Sequence, residues 1–202
     1  MSRGLRDAAR LGARVLFTAG ALALGYVAYV SIDARLYQAR ERRRFEADRR
    51  PVAIAAVSPT PAAVVAPPPA DGTTIGEIRI ARLRLSAVIA QGESEPILQR
   101  AVGHLARTAL PGAEGNVVLA GHRDTFFRPL KGIRDGDRIT LSTRDRDIEY
   151  VVEWTSVVKP TDVQVIEPTG GHTLTLVTCF PFYYVGAAPN RFIVFARETS
   201  NF

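Results

Sequence analysis

"HTLTLVTCFPFYYVGAAPNRFIVFAR", residues 172–197, contains two runs of β-forming residues, "TLTLVTC" and "RFIVFAR", on either side of an aromatic segment that holds Pro and Gly. The enrichment in Thr, Val, Ile and Phe predicts two strands, and Phe180–Asn190 reads as the loop between them. If these are adjacent antiparallel strands, the end of the first lies beside the start of the second. Cys179, the only cysteine in the 202 residues, then shares one rim with Arg191.

The β pattern extends upstream to Thr73. In "EIRIARLRLSAVI" (77–89) Ile78 and Ile80 occupy one phase and Leu83 and Leu85 the other, so a bulge or turn is expected near Ala81. "SEPILQRAVGHL" (94–105) predicts a short helix with Ser94 as N-cap, Pro96 in the first turn and Leu98, Ala101 and Val102 as its apolar stripe. Further strands are expected in "NVVLAG" (116–121), "DRITL" (137–141) and "IEYVVEWTSVV" (148–158), separated by Pro-Gly, Asp-Gly and Gly-Gly turns. Many short strands with one or two short helices indicate an all-β domain over 73–202, a small closed or nearly closed β-barrel.

Ahead of that domain the composition changes twice. Val15–Ile32 is a run of 18 residues without a charge, preceded by a basic segment (1–14). The run exceeds the apolar core of a secretory signal and suits a membrane-spanning helix, with no small-residue cleavage site after it. Residues 33–50 lack Gly and Pro and carry mixed charge, as expected of a solvated helical stalk. Residues 51–72 hold 6 Pro and 7 Ala and read as an extended linker that reaches about 70 Å in polyproline II form and keeps the domain away from the membrane. Arginines flank both ends of the span. Because large domains translocate largely regardless of charge, the adopted reading is a single-pass anchor with the N-terminus in the cytoplasm and the domain outside.

The formal net charge of +6 suggests a nucleic-acid ligand until it is located. Residues 1–50 hold 11 Arg against 5 acids, whereas residues 51–202 hold 15 Lys and Arg against 15 acids. The folded part is neutral, which argues against phosphate-backbone binding.

A lone Cys is ordinarily a buried small hydrophobe. Cys179 departs from that reading because an unpaired thiol facing an oxidising compartment is a liability unless used, because it ends a strand, and because Arg191 is placed to meet it. Such an Arg can lower a thiol pKa or hydrogen-bond a developing oxyanion. A catalytic thiol also wants an imidazole. His172 lies at the far end of the same strand, more than about 20 Å from Cys179 at 3.3 Å per residue. His104 falls near the end of the expected helix, a position typical of caps. His122 ends "NVVLAG" and opens the loop "HRDTFF", the same kind of position as Cys179, and is the preferred partner. Asp124 is a candidate for orienting that imidazole, although a loop carboxylate commonly caps its own turn. The aromatics Phe180, Phe182, Tyr183 and Tyr184 either line a groove or form a lid on the core. No metal-ligand spacing or phosphate-binding loop is present, so no cofactor is expected.

Three segments carry a family resemblance: "TLVTC" (175–179) is similar to the TLxTC signature of the sortases, "GHRDTFF" (121–127) resembles their catalytic-histidine segment, and "AAPNRFIV" (187–194) resembles the strand with their essential arginine. The order His, Cys, Arg is theirs too, and the segments look most like class D. The resemblance implies an eight-stranded sortase barrel and a cysteine transpeptidase acting on secreted proteins with an LPxTG-like sorting signal. Cys179 would be the nucleophile, His122 the acid and base, Arg191 the support for substrate carbonyls or oxyanion, with help from Thr178, and an amine on the cell envelope or another protein the acceptor. Two alternatives stay open: a hydrolase in which water resolves the thioester, and a tethered barrel that captures a peptide without cutting it. The SHGC-type motif of L,D-transpeptidases is absent.

Overall fold

The two runs around Cys179 form β7 (His172–Phe180) and β8 (Asn190–Glu198), and they pair antiparallel with Cys179 directly opposite Arg191. The computed structural model describes residues 3–49, 68–184 and 186–199, with side chains from Arg10 onward. The other strands are β1 (Thr74–Ile80), β2 (Leu85–Gln91), β3 (Val102–His104), β4 (Gly115–Ala120), β5 (Arg138–Ser142) and β6 (Asp147–Val158). They close into a barrel in the order β1-β2-β3-β4-β7-β8-β6-β5, with β1 pairing β5. Two pairs are parallel, β2 with β3 and β4 with β7. The expected all-β barrel is therefore observed, closed and eight-stranded.

Alternation fills its interior. Leu174 and Leu176 of β7 face inward among Ile78, Ile80, Ile89, Leu119 and Val194, all fully buried. The phase switch near Ala81 is a 3₁₀ turn, Ala81–Leu83, closed by Arg84 in the left-handed region at φ 52°. The expected helix over 94–105 is corrected: α2 is only Glu95–Leu98, Ser94 makes no side-chain cap, and Val102–His104 is strand β3. The apolar residues Ala101 and Val102 fit a helical stripe equally well, and pairing of Ile89 with Val102 decides for the strand.

The N-terminal helix α1 runs from Arg3 to Asp48. Its first part contains an 18-residue window of mean hydropathy 1.9, none of it buried against the rest of the chain. That is long and apolar enough to cross a bilayer. Residues 33–48 are helical as expected but not a solvated stalk. Val30, Asp33, Ala34, Tyr37, Gln38, Glu41, Arg42 and Phe45 are at least partly buried, a spacing of three and four that marks one helix face. This face lies on the barrel. Phe45 is only 4% exposed, the Gln38 side chain accepts from Val88 N–H at 2.8 Å and donates to Arg100 O at 2.7 Å, and Arg42 pairs with Glu77 at 3.1 Å. Burying a Phe ring contributes about 1.5–3 kcal/mol, whereas an exposed ion pair contributes about 0–1 kcal/mol. Phe45 therefore outweighs the more exposed bridges Asp33–Arg100 and Arg49–Asp147 at the two ends of the docked stretch. Of the expected linker 51–72, residues 51–67 lie outside the described residues.

Candidate active site

Strand order sets the site. β7 lies between β4 and β8, and β4 runs parallel to β7 with Ala120 opposite Val177. Gly121 N–H still donates to Val177 O at 3.2 Å, so continuing the register brings His122 level with Cys179. On the other side Cys179 faces Arg191. Adjacent strands are about 4.8 Å apart. The His, Cys and Arg singled out in the sequence therefore lie at the ends of three neighbouring strands at one end of the barrel, with His122 just beyond the end of β4.

Cys179 is a free thiol and half-buried. It follows Val177 on the outer face of β7, where Val177, Ile193, Ala120 and Arg191, with Val163, Val165 and Ile166, line a mostly apolar groove of about 290 Å³. Arg191 Nη1 donates to Ala188 O at 3.3 Å and to Asn190 O at 3.0 Å. Both bonds use Nη1, which leaves the donors of Nε and Nη2 for a ligand. The groove thus offers apolar walls and a guanidinium, and Cys179 lies opposite Arg191 on the neighbouring strand, a combination suited to an extended peptide with small apolar side chains.

Thr178 points the other way. It is 2% exposed, on the inward phase of β7, and its hydroxyl donates to Gly121 O at 2.7 Å. That geometry fits holding the strand end before His122 rather than touching a substrate. Gly121 itself is sterically required, because a Cβ there would lie 2.8 Å from the ring of the fully buried Phe127.

Sequence reasoning missed Arg123. Its guanidinium donates to Pro181 O, Tyr184 O and Gly186 O at 3.2, 2.7 and 2.9 Å and lies 5.9 Å from the Tyr184 ring centroid. The residue after His122 thus ties down the loop that follows Cys179. No local pattern announces it, since the acceptors are backbone carbonyls about 60 residues away. Charge-assisted hydrogen bonds contribute about 1.5–3 kcal/mol when not fully solvated. Arg123→Ala is expected to raise KM for peptide about tenfold and to speed amide exchange in 181–189, whereas Arg123→Lys, lacking the planar fork, recovers only part. Unchanged exchange in that loop would refute the clamp.

The aromatic segment divides. Phe180, Phe182 and Phe192 pack with centroids 5.4–6.3 Å apart and close the barrel end, while Tyr183 and Tyr184 are 79% and 48% exposed. The carboxylate beside His122 is Glu95 of α2, with Oε1 3.4 Å from Nε2, and not Asp124. His172 is at the opposite end of β7, bonded to Ala113 O.

His104 is neither helical nor exposed, which corrects its expected place near a helix end. It lies in β3 at 1% exposure, with Nδ1 2.9 Å from Gln91 Oε1 and Nε2 2.9 Å from Ala109 O. Burial pushes its pKa below the ordinary value and outweighs the Ala109 carbonyl and Glu93, which act upward. Because the unfolded chain then protonates first, the stability His104 contributes is complete above about pH 6.5 and is lost as pH falls toward the folded-state value. The melting temperature should therefore fall from pH 7 to pH 5 in the natural protein, and less steeply in His104→Gln.

Comparison with known proteins agrees with this geometry. The sortase domain family matches residues 78–199. Sortase D of Bacillus subtilis is 33% identical over 132 residues, covering 64% of this chain and 66% of that protein. Sortase SrtE1 of Streptomyces coelicolor is 35% identical over 123 residues, covering 52% of this chain and 35% of that protein. The chain thus spans less than two thirds of the length of these relatives. Among solved structures, a sortase D5 transpeptidase of Clostridium perfringens superposes with a TM-score of 0.60 at 30% identity, covering 65% of this chain and 82% of that one. Sortase A of Corynebacterium diphtheriae does so with 0.60 at 29%, covering 65% and 63%. The matched span takes in more than half of the chain and all but the first few residues of the closed barrel, and the chain belongs to the sortase family.

Proposed function

We propose that this protein is a membrane-anchored cysteine transpeptidase that cleaves an LPxTG-like sorting signal of secreted proteins and passes the acyl group to an amine. The observation that supports the reading is that Cys179 on β7 stands opposite Arg191 of β8, a residue of the apolar groove, with β4, which leads into His122, on its other side. α1 supplies the anchor and the barrel lies on the outer side of the membrane.

In the first half-reaction the Cys179 thiolate attacks the carbonyl carbon after the signal's Thr. The C–N bond breaks, His122 gives its proton to the departing amine, and a thioester remains on Sγ. In the second, His122 takes a proton from the incoming amine, which attacks the thioester. A new amide forms and the thiolate leaves. Arg191 hydrogen-bonds the oxyanion or neighbouring carbonyls in both tetrahedral states, and Thr178 acts through Gly121 to hold His122.

The test is mass spectrometry of the full chain in detergent with a panel of LPxTG-like peptides, with and without an added amine. A Cys179 adduct and an amide product are expected. An adduct that yields only hydrolysed peptide would replace the transpeptidase with a hydrolase, and no adduct with any peptide would favour a binding module.

A further inference from the structure

The docked part of α1 begins at the end of its apolar run, where Val30 is already partly buried. Ile32 ends that run, and Asp33 already pairs with Arg100 at 2.7 Å. Gln38 donates to Arg100 O at 2.7 Å, and Ala34 and Arg35 share a cavity with Phe126. These barrel residues flank the catalytic end. Arg100 follows α2, whose Glu95 touches His122, and Phe126 belongs to the His122 loop. At the other end of the docked stretch, Arg49 pairs with Asp147 at 2.9 Å and Asp48 with Arg144 at 3.7 Å, in the β5–β6 hairpin. Asp147 is separated from Val158, the partner of Arg191, by the length of β6, a strand path of roughly 36 Å. Along α1 these two regions are spaced by about 24 Å at 1.5 Å per residue.

We infer that docking of residues 33–49 on the barrel holds the catalytic rim against the headgroup layer of the bilayer that α1 spans, with the β5–β6 hairpin pointing away. The inference rests on the anchor reading above. It replaces a freely swinging domain with a fixed one, since the Arg100 contact leaves no spacer between span and barrel. The rim suits that neighbour. Arg128 and Lys131 are exposed there, as are Tyr183 and Tyr184, and Lys131 donates to the Tyr183 hydroxyl at 3.3 Å. Cationic and tyrosyl side chains are those favoured at the headgroup level. Chains processed by this site would be met as they emerge from the same bilayer.

The chain's single cysteine makes the test direct. In a Cys179→Ala background, Tyr183→Cys on the rim or Asp145→Cys on the hairpin is labelled with bimane, and the full chain is placed in phosphatidylcholine–phosphatidylglycerol nanodiscs containing a headgroup-nitroxide lipid. Rim fluorescence should be quenched severalfold more than hairpin fluorescence. Adding Gln38→Ala, Arg42→Ala and Phe45→Ala should bring the two probes close together. The same triple substitution in the chain that keeps Cys179 should leave acylation by a soluble peptide within about twofold, because these residues lie outside the groove. Equal or reversed quenching in a chain that incorporates into the nanodiscs overturns the inference alone, and so does a difference that survives the triple substitution. Failure to incorporate overturns the anchor reading and the inference with it.

Discussion

Cys179→Ala is expected to abolish both the covalent adduct and the transfer product, a fall to the uncatalysed background, while the barrel melts within about 2 °C of the natural protein. The chemical loss is total because no other thiol exists in the chain and the methyl group has no lone pair with which to attack. The structural cost is small because the side chain is only half-buried at a strand end and removal of one sulfur leaves no closed cavity. Peptide affinity supplies the control. If the groove beside β7 and Arg191 does the binding, Cys179→Ala retains Kd within about threefold while turnover vanishes. Transfer that persists in the variant would remove Cys179 from the chemistry, and loss of binding would mean that the substitution disturbs the groove itself.

The parts of this fold that were legible in the sequence are those where one residue pattern excludes the alternatives. Strict β patterning on both sides of the loop fixed β7 and β8 to within a residue, and their antiparallel pairing follows from the short connection. The pairing of Cys179 with Arg191 came with it. The expectation that His122 stands beside them rested on position and motif, and the parallel β4–β7 ladder ends two residues before His122, with Ala120 opposite Val177. What stayed hidden depends on contacts between distant segments. β3 is only Val102–His104, too short to show a period, and sits where a helical stripe reads as well. The docking face of α1 is mostly polar, with Phe45 as its buried anchor, so its mixed charge was read as solvation. Arg123 acts on backbone carbonyls, which no side-chain pattern can reveal.

His122→Ala should reduce kcat/KM for an amide substrate by about 10²–10⁴, the usual contribution of a positioned acid–base group. Simple loss does not distinguish proton transfer from a scaffolding role, so the leaving group must be varied. An amide needs a proton to let its amine depart, whereas an activated ester with a weakly basic leaving group does not. The variant should therefore acylate with the ester at a rate within about tenfold of the natural enzyme. Deacylation is different. The incoming amine must lose a proton, and without His122 the thioester should accumulate on Cys179, visible as a burst of one equivalent followed by slow turnover. His122 is about a third exposed and its Nε2 faces Glu95, so added imidazole has room to enter and should restore part of the second step. If ester acylation falls as steeply as amide cleavage, His122 serves to generate the thiolate rather than to protonate the leaving amine. The two carriers of chemistry then reduce to a thiolate–imidazolium pair with Arg191 as the stabiliser of charge.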